Sequence, residues 1–158
     1  MGESGETRWR DVFTGHHQLS IDDKGRLAIP ARFRQQLADR FGHQVFITIG
    51  DKACLEIYPV PEFQRIADSI ALMDDQDHAE ILKLAFIGRA VETEIDKQGR
   101  VSLPPMLRKA AGLDGSAVVV GQITRLDVWP EERWNAKFAD GPDSVLPSLR
   151  DAYRKLKR

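Results

Sequence analysis

Residues 21–34 read IDDKGRLAIPARFR, and residues 95–108 read IDKQGRVSLPPMLR. Six positions coincide: Ile21 with Ile95, Asp22 with Asp96, Gly25 with Gly99, Arg26 with Arg100, Pro30 with Pro104 and Arg34 with Arg108. Leu27/Val101, Ile29/Leu103 and Phe33/Leu107 are apolar in both copies. The match extends upstream, where Phe13-Thr14-Gly15 aligns with Phe86-Ile87-Gly88. Downstream, Leu55-Glu56-Ile57-Tyr58-Pro59 aligns with Leu126-Asp127-Val128-Trp129-Pro130, and Phe63 with Trp134. Matches at three places in the same order mark an internal repeat, which governs every later reading of the chain.

Each copy predicts the same local structure. An apolar strand end is followed by a turn made by Asp22 and Gly25, or by Asp96 and Gly99. Aspartate bonds its own backbone two residues on, and glycine takes positive φ. Leu27-Ala28-Ile29 and Val101-Ser102-Leu103 alternate as half-buried strands do. Pro30 and Pro104 stand where a helix begins. Phe33, Leu37 and Phe41 make an apolar stripe in the first helix. Leu107, Ala110 and Ala111 do so in the second, with Gly112 as its C-terminal cap. Hairpins follow: Val45-Phe46-Ile47-Thr48-Ile49 with Leu55-Glu56-Ile57-Tyr58, and Ala117-Val118-Val119-Val120 with Leu126-Asp127-Val128-Trp129. Pro59 and Pro130 stop the last strands.

Between the copies, residues 61–73 and 76–87 read as helices, with Phe63, Ile66, Ala67 and Ile70 on one face of the first. Ile81, Leu82, Leu84 and Ala85 are the apolar residues of the second. Asp74-Asp75 supplies the break. A further helix begins at Pro130, residues 139–144 form a loop, and the tail from Val145 carries Arg150, Arg154, Lys155, Lys157 and Arg158. The expected class is α+β. The expected organisation is a first repeat over 12–60, connecting helices over 61–85, a second repeat over 86–131, and a C-terminal helix and basic tail over 132–158. One copy alone has too little apolar surface to close a core. The two are therefore expected to pack as one pseudo-two-fold unit.

Composition narrows the function. At 158 residues, with 42% apolar and 30% charged residues, the chain suits one or two small soluble domains. Cys54 is the sole cysteine, so a disulfide framework and a C-x-x-C motif are both excluded; Cys54 reads as a small packed residue. No run approaches the roughly 20 apolar residues of a membrane span. The polar, acidic start is unlike a secretory signal, which points to the cytoplasm. The net charge of −1 argues mildly against nucleic acid, but local placement of charge governs binding.

Enzymatic signatures are missing. There is no phosphate-cradling G-x-x-x-x-G-K-[ST] or G-x-G-x-x-G loop and no G-x-S-x-G elbow. His16 and His17 would point to opposite faces of a strand, which makes them poor joint ligands for a metal. No cofactor is expected. The duplicated Asp-x-x-x-Arg turn remains, and residue chemistry leaves two readings open. Asp and Arg could form a surface bridge worth about 0–1 kcal/mol. Alternatively, the guanidinium forks of Arg26 and Arg100 could meet phosphate oxygens or the guanine O6/N7 edge. Lys24, Arg26, Arg32, Arg34 and Arg40 cluster in the first copy, and Lys97, Arg100, Arg108 and Lys109 in the second.

These motifs resemble the MraZ family of bacterial regulators, over about residues 12–140. The resemblance rests on the paired Asp-x-x-x-Arg turns and their F-x-G lead-ins. It implies a double AbrB-like, swapped-hairpin fold and ring-shaped homo-oligomers. It also implies binding of double-stranded DNA at G-rich direct repeats, within the promoter of the protein's own division and cell-wall gene cluster. There the expected role is that of a nucleoid-associated repressor. Arg26 and Arg100 are then the DNA-reading residues, with Lys24, Lys97, Arg32 and Arg34 beside them. The rival within the superfamily is an antitoxin-like protein-binding autoregulator, but two full copies leave little chain for a toxin-binding tail. Arg8 and Arg10 precede the matched region, and the role of Thr14 is open.

Overall fold

Turn chemistry, strand alternation and helix caps recur in both halves of the computed structural model, which describes residues 11–158. Arg8 and Arg10 lie outside the described residues. The order is β1 (His16–Ser20), β2 (Arg26–Ala28), α1 (Ala31–Arg40), β3 (Gln44–Ile49), β4 (Leu55–Pro59), α2 (Val60–Ala71), α3 (Gln76–Leu82), a π-helical turn (Lys83–Ile87), β5 (Val91–Glu94), β6 (Arg100–Ser102), α4 (Pro105–Ala111), β7 (Ser116–Gln122), β8 (Arg125–Pro130), α5 (Glu131–Ala136) and α6 (Leu146–Lys155).

Six strands form one antiparallel sheet in the order β1-β7-β8-β4-β3-β5, and β2 pairs with β6 in a separate two-stranded ribbon. Exchanging equivalent strands of the two copies reverses the six-strand order onto itself. The pseudo-two-fold axis therefore runs between β4 and β8, where Glu56 faces Asp127, and through the ribbon, where Leu27 faces Val101. Each copy's first strand is carried by the other copy's hairpin: Leu19 pairs with Ala117 of β7, and Val45 of β3 with Thr93 of β5. This exchange is what makes the unit indivisible, because either copy alone would lose an edge strand and half a ribbon.

The core lies between the inner face of the sheet and a cover made of the ribbon, α1 and α4. Leu27, Ile29, Phe33, Leu37, Ile47, Leu55 and Ile57 of the first copy share one cluster with Val101, Leu103, Leu107, Val119, Leu126 and Val128 of the second. Each large apolar side chain removed from water contributes about 1.5–3 kcal/mol. Phe33 and Leu37 face this core as the helical stripe requires, while Phe41 falls one residue past α1 and is half-buried. In α4 the buried residues are Leu107 and Ala111. Ala110, expected in the stripe, points to solvent. Gly112 caps α4 in the left-handed region at φ 69°.

The connector departs from its apolar pattern. Phe63 and Ile70 of α2 are buried, and Asp75 caps α3 by accepting from the His78 amide at 3.0 Å. Ile81 and Leu84, however, are 57% and 68% exposed. Only Ala79 of α3 is buried, so Ile81 and Leu84 are left uncovered among the described residues. The two F-x-G lead-ins also differ. Phe13 is extended, exchanging backbone bonds with Ile123 at 2.9 and 3.0 Å, whereas Phe86 lies in the π-helical turn. Helix α6 is exposed along its whole length. No helix among the described residues is long and apolar enough to cross a membrane.

Candidate nucleic-acid interface

The duplicated turns have nearly superposable chemistry. Gly25 donates its amide to the Asp22 carbonyl at 3.0 Å, and Gly99 to Asp96 at 2.9 Å. Asp22 Oδ1 accepts the Lys24 and Arg26 amides at 3.0 and 2.8 Å, and Asp96 Oδ1 accepts the Gln98 and Arg100 amides, each at 2.9 Å. The other carboxylate oxygen takes the arginine: Arg26 Nε lies 2.8 Å from Asp22 Oδ2, and Arg100 Nε 3.3 Å from Asp96 Oδ2. The backbone amides of Arg26 and Arg100 are the largest cause holding these two carboxyls below their usual range. Both aspartates thus stay ionised and acceptor-only at neutral pH. The pairing engages Nε and fixes the direction of each guanidinium. Among the described residues, no hydrogen bond engages the terminal nitrogens of Arg26 or Arg100.

The ribbon brings the two arginines together. Arg26 pairs with Ser102 and Ala28 with Arg100, so these four residues share one face while Leu27 and Val101 fill the other. Leu27 and Val101 are fully buried; Ala28 and Ser102 are exposed and small. Arg26 and Arg100 are diagonal neighbours on an antiparallel pair, a relationship that spaces Cα atoms about 7–8 Å apart. Each arginine side chain remains partly open, at 28% and 29% exposure.

A second arginine pair stitches the copies. The Arg34 guanidinium lies against Gly99, with Nη1 3.5 Å from the Gln98 carbonyl, and Arg108 lies against Gly25. The backbone repeats the exchange: Ile29 donates to the Gly99 carbonyl and Leu103 to the Gly25 carbonyl, both at 2.9 Å. The structure therefore places Arg34 on the opposite copy's turn. Lys24 and Lys97 are exposed on the turns themselves. Arg32, on α1, is exposed and donates to the Thr14 hydroxyl at 3.2 Å, which gives Thr14 a local partner. Arg108 was absent from the residues singled out beside Arg26 and Arg100. The repeat carried the signal, since Arg108 is the mate of Arg34. The ribbon and its turns together present Lys24, Arg26, Arg34, Lys97, Arg100 and Arg108 against Asp22, Asp23 and Asp96, a basic surface on a chain of net charge −1.

Other candidates sit elsewhere. The His16 ring lies 5.2 Å from Trp134 and the His17 ring 5.4 Å from Phe33, on opposite sides of the sheet. Cys54 is buried, and desolvation with the nearby Asp127 and Glu56 carboxylates pushes its thiol up to about 12, far from a reactive thiolate.

Comparison with known proteins matches this sequence to a family. A family described as MraZ protein, antitoxin-like, matches residues 12–85 and again 86–145. A transcriptional regulator MraZ of Salinispora arenicola is 40% identical over 146 residues, covering 87% of this chain and all of the relative. The transcriptional regulator MraZ of Thiobacillus denitrificans is 40% identical over 146 residues, covering 90% of this chain and 99% of its own length. That of Pseudomonas aeruginosa is 39% identical over 127 residues, or 79% and 84% of the two chains.

Proposed function

This chain belongs to the MraZ family, and from that premise we propose that it is a transcriptional regulator that reads double-stranded DNA with the β2–β6 ribbon. The observation that carries the reading is the meeting of Arg26 and Arg100, from separate copies, on one outward face with only Ala28 and Ser102 beside them. A two-stranded β-ribbon fits the major groove, about 12 Å wide, and arginine is the commonest partner of guanine O6 and N7 there. Asp22 and Asp96 hold each Nε and leave the terminal nitrogens to meet a base edge. Lys24 and Lys97, exposed on the turns of this ribbon, meet phosphates, which position the ribbon without reading sequence, and Arg32, exposed on α1 beside Thr14, adds a further phosphate contact. Arg34 supports the surface by holding the opposite turn.

One ribbon neutralises few phosphates, so a single chain binds weakly, and linked copies gain affinity through effective concentration. The exposed Leu72 and Leu84, at 82% and 68%, offer apolar surface for such association. The functional form is a homo-oligomer, a closed ring, whose repeated ribbons meet direct G-rich repeats in the promoter of its own division and cell-wall gene cluster. Occupancy there represses transcription, on the nucleoid and without a cofactor, a membrane or a catalytic step.

The test is fluorescence anisotropy on a duplex from upstream of the gene, against a scrambled duplex of equal length, with light scattering on the same sample. Saturable binding that prefers the upstream duplex, by a species of several subunits, is the expected result. Equal weak binding to both duplexes, or a monomeric mass at micromolar concentration, would overturn it.

A further inference from the structure

The face of the sheet away from the ribbon carries a second basic site. Side chains alternate along β8, so Val128 enters the core beneath the ribbon and Trp129 points the other way, into a separate cluster with Cys54, Val118 and Val120. Beside it lies a pocket of about 150 Å³ lined by Lys52, Trp129, Arg133, Lys137 and Asp143. Arg133 and Lys137 are four residues apart and come from one side of α5 and its C-terminal end. Lys52 comes from the β3–β4 loop. Two of these cations gather over the indole: Arg133 Cζ is 5.3 Å and Lys137 Nζ 5.6 Å from the Trp129 ring centroid.

Two buried donors behind the wall of this pocket lack acceptors among the described residues. Trp129 is 6% exposed, yet its buried Nε1–H has no partner among the described residues, and neither has the buried Nε–H of Arg133. Arg133 is anchored from its far end, where Nη2 donates to the Ala53 carbonyl at 2.9 Å and ties α5 to the loop bearing Lys52. The pseudo-symmetric position shows the contrast. Tyr58, the mate of Trp129, donates to Glu56 Oε1 at 2.7 Å, so the first copy supplies its own acceptor and the second does not. The three cations that line the pocket in front of these buried groups gather charge-assisted donors on one face, an arrangement suited to an anion.

We propose that this pocket binds the phosphate group of a small molecule, either inorganic phosphate or a phosphomonoester. Three cations against Asp143 match a dianion better than a single carboxylate. Tetrahedral oxygens can accept at once from the Lys52 and Lys137 ammonium groups, which approach from different elements, with the Arg133 guanidinium beside them. Asp143, at the same pocket, opposes a second phosphate, so a single phosphate group is the ligand. The site is separated from the ribbon by the sheet and stands independently of the DNA reading.

The full chain, ¹⁵N-labelled, is titrated with sodium phosphate, methyl phosphate and acetate at constant ionic strength, and the Trp129 indole N–H resonance is followed; Trp129→Phe assigns it. Saturable movement with the phosphates at concentrations where acetate has no effect is expected. The tighter of the two phosphates identifies free ion or ester. Lys137→Gln and Lys52→Gln, both surface changes that leave the core intact, should each weaken the response at least tenfold. Equal saturation by acetate, no saturable movement with either phosphate, or wild-type response in both lysine variants would each overturn the assignment.

Discussion

The guanidinium of Arg34 occupies the space that a Cβ on Gly99 would need, with Cζ 2.7 Å from that position, and Arg108 stands in the same relation to Gly25, with Cζ at 2.8 Å. Each turn is therefore closed by its own aspartate and covered by an arginine from the other copy. The two ribbon arginines, Arg26 and Arg100, are held in register by residues that lie 64 or more positions away along the chain.

Gly25→Ala and Gly99→Ala test that relationship. Both glycines have left-handed φ, 77° and 79°, where an L side chain costs about 1–2 kcal/mol, and the added methyl must also displace a guanidinium. Each variant should melt at a lower temperature and, in its folded fraction, bind DNA more weakly. A wild-type melting curve for Gly99→Ala would show that the turn is not constrained as described.

Arg26→Ala and Arg100→Ala should each weaken operator binding by about 1–3 kcal/mol, the range for one bidentate base contact. Lysine at either position should restore only part, because an ammonium lacks the planar fork. Stability should change little, since the Asp22–Arg26 and Asp96–Arg100 bridges are partly exposed. Thermal melts paired with anisotropy titrations separate the outcomes. If both variants melt lower while their folded fractions bind as wild type does, the arginines only brace the turns.

Salt separates contact from support. Binding should fall steeply between about 50 and 200 mM salt, and removing a true phosphate contact should reduce the log–log slope by about 0.9. Lys24→Gln should lower the slope by that amount. Arg34→Gln should weaken binding with the slope intact, while amide exchange at residues 96–99 becomes faster. A reduced slope for Arg34→Gln with unchanged exchange would make Arg34 a direct phosphate contact.

Glu56 supplies a pH dependence. Desolvation raises its carboxyl above the ordinary 4.5, more than the Tyr58 hydrogen bond and Arg125 lower it, with Asp127 opposing ionisation across the pseudo-axis. The folded chain then holds this proton longer than the unfolded chain. The resulting stability is present below pH 4.5 and is lost as pH rises through the folded value. Glu56→Gln keeps an acceptor for Tyr58 and removes the titration. Denaturant melts from pH 4 to 7 should show the variant gaining stability relative to wild type as pH rises. A constant difference across that range would show that Glu56 titrates alike folded and unfolded.

What the sequence determined by itself was local. Asp22 and Asp96 cap turns whose donors lie two to four residues on, Gly25 and Gly99 supply φ values that other residues resist, and strand alternation and proline set the elements. These interactions span a few residues, so the repeated pattern was enough to place them, and the duplication implied the pseudo-symmetry. Tertiary structure decided which hairpin each first strand joins. Period-2 alternation is satisfied equally by pairing β1 with β3 or with β7, and only closure of a shared core favours the exchange. From that exchange follow the diagonal meeting of Arg26 with Arg100, the crossing of Arg34 and Arg108 onto opposite turns, and the facing of Glu56 with Asp127. The apolar pattern of residues 76–87 predicted a helix but not the exposure of Ile81 and Leu84, because periodicity reports an apolar face without naming what covers it. Trp129 likewise read only as a strand residue. Its burial beside a pocket lined by three cations arises from the packing of α5 and the β3–β4 loop, which no local pattern encodes.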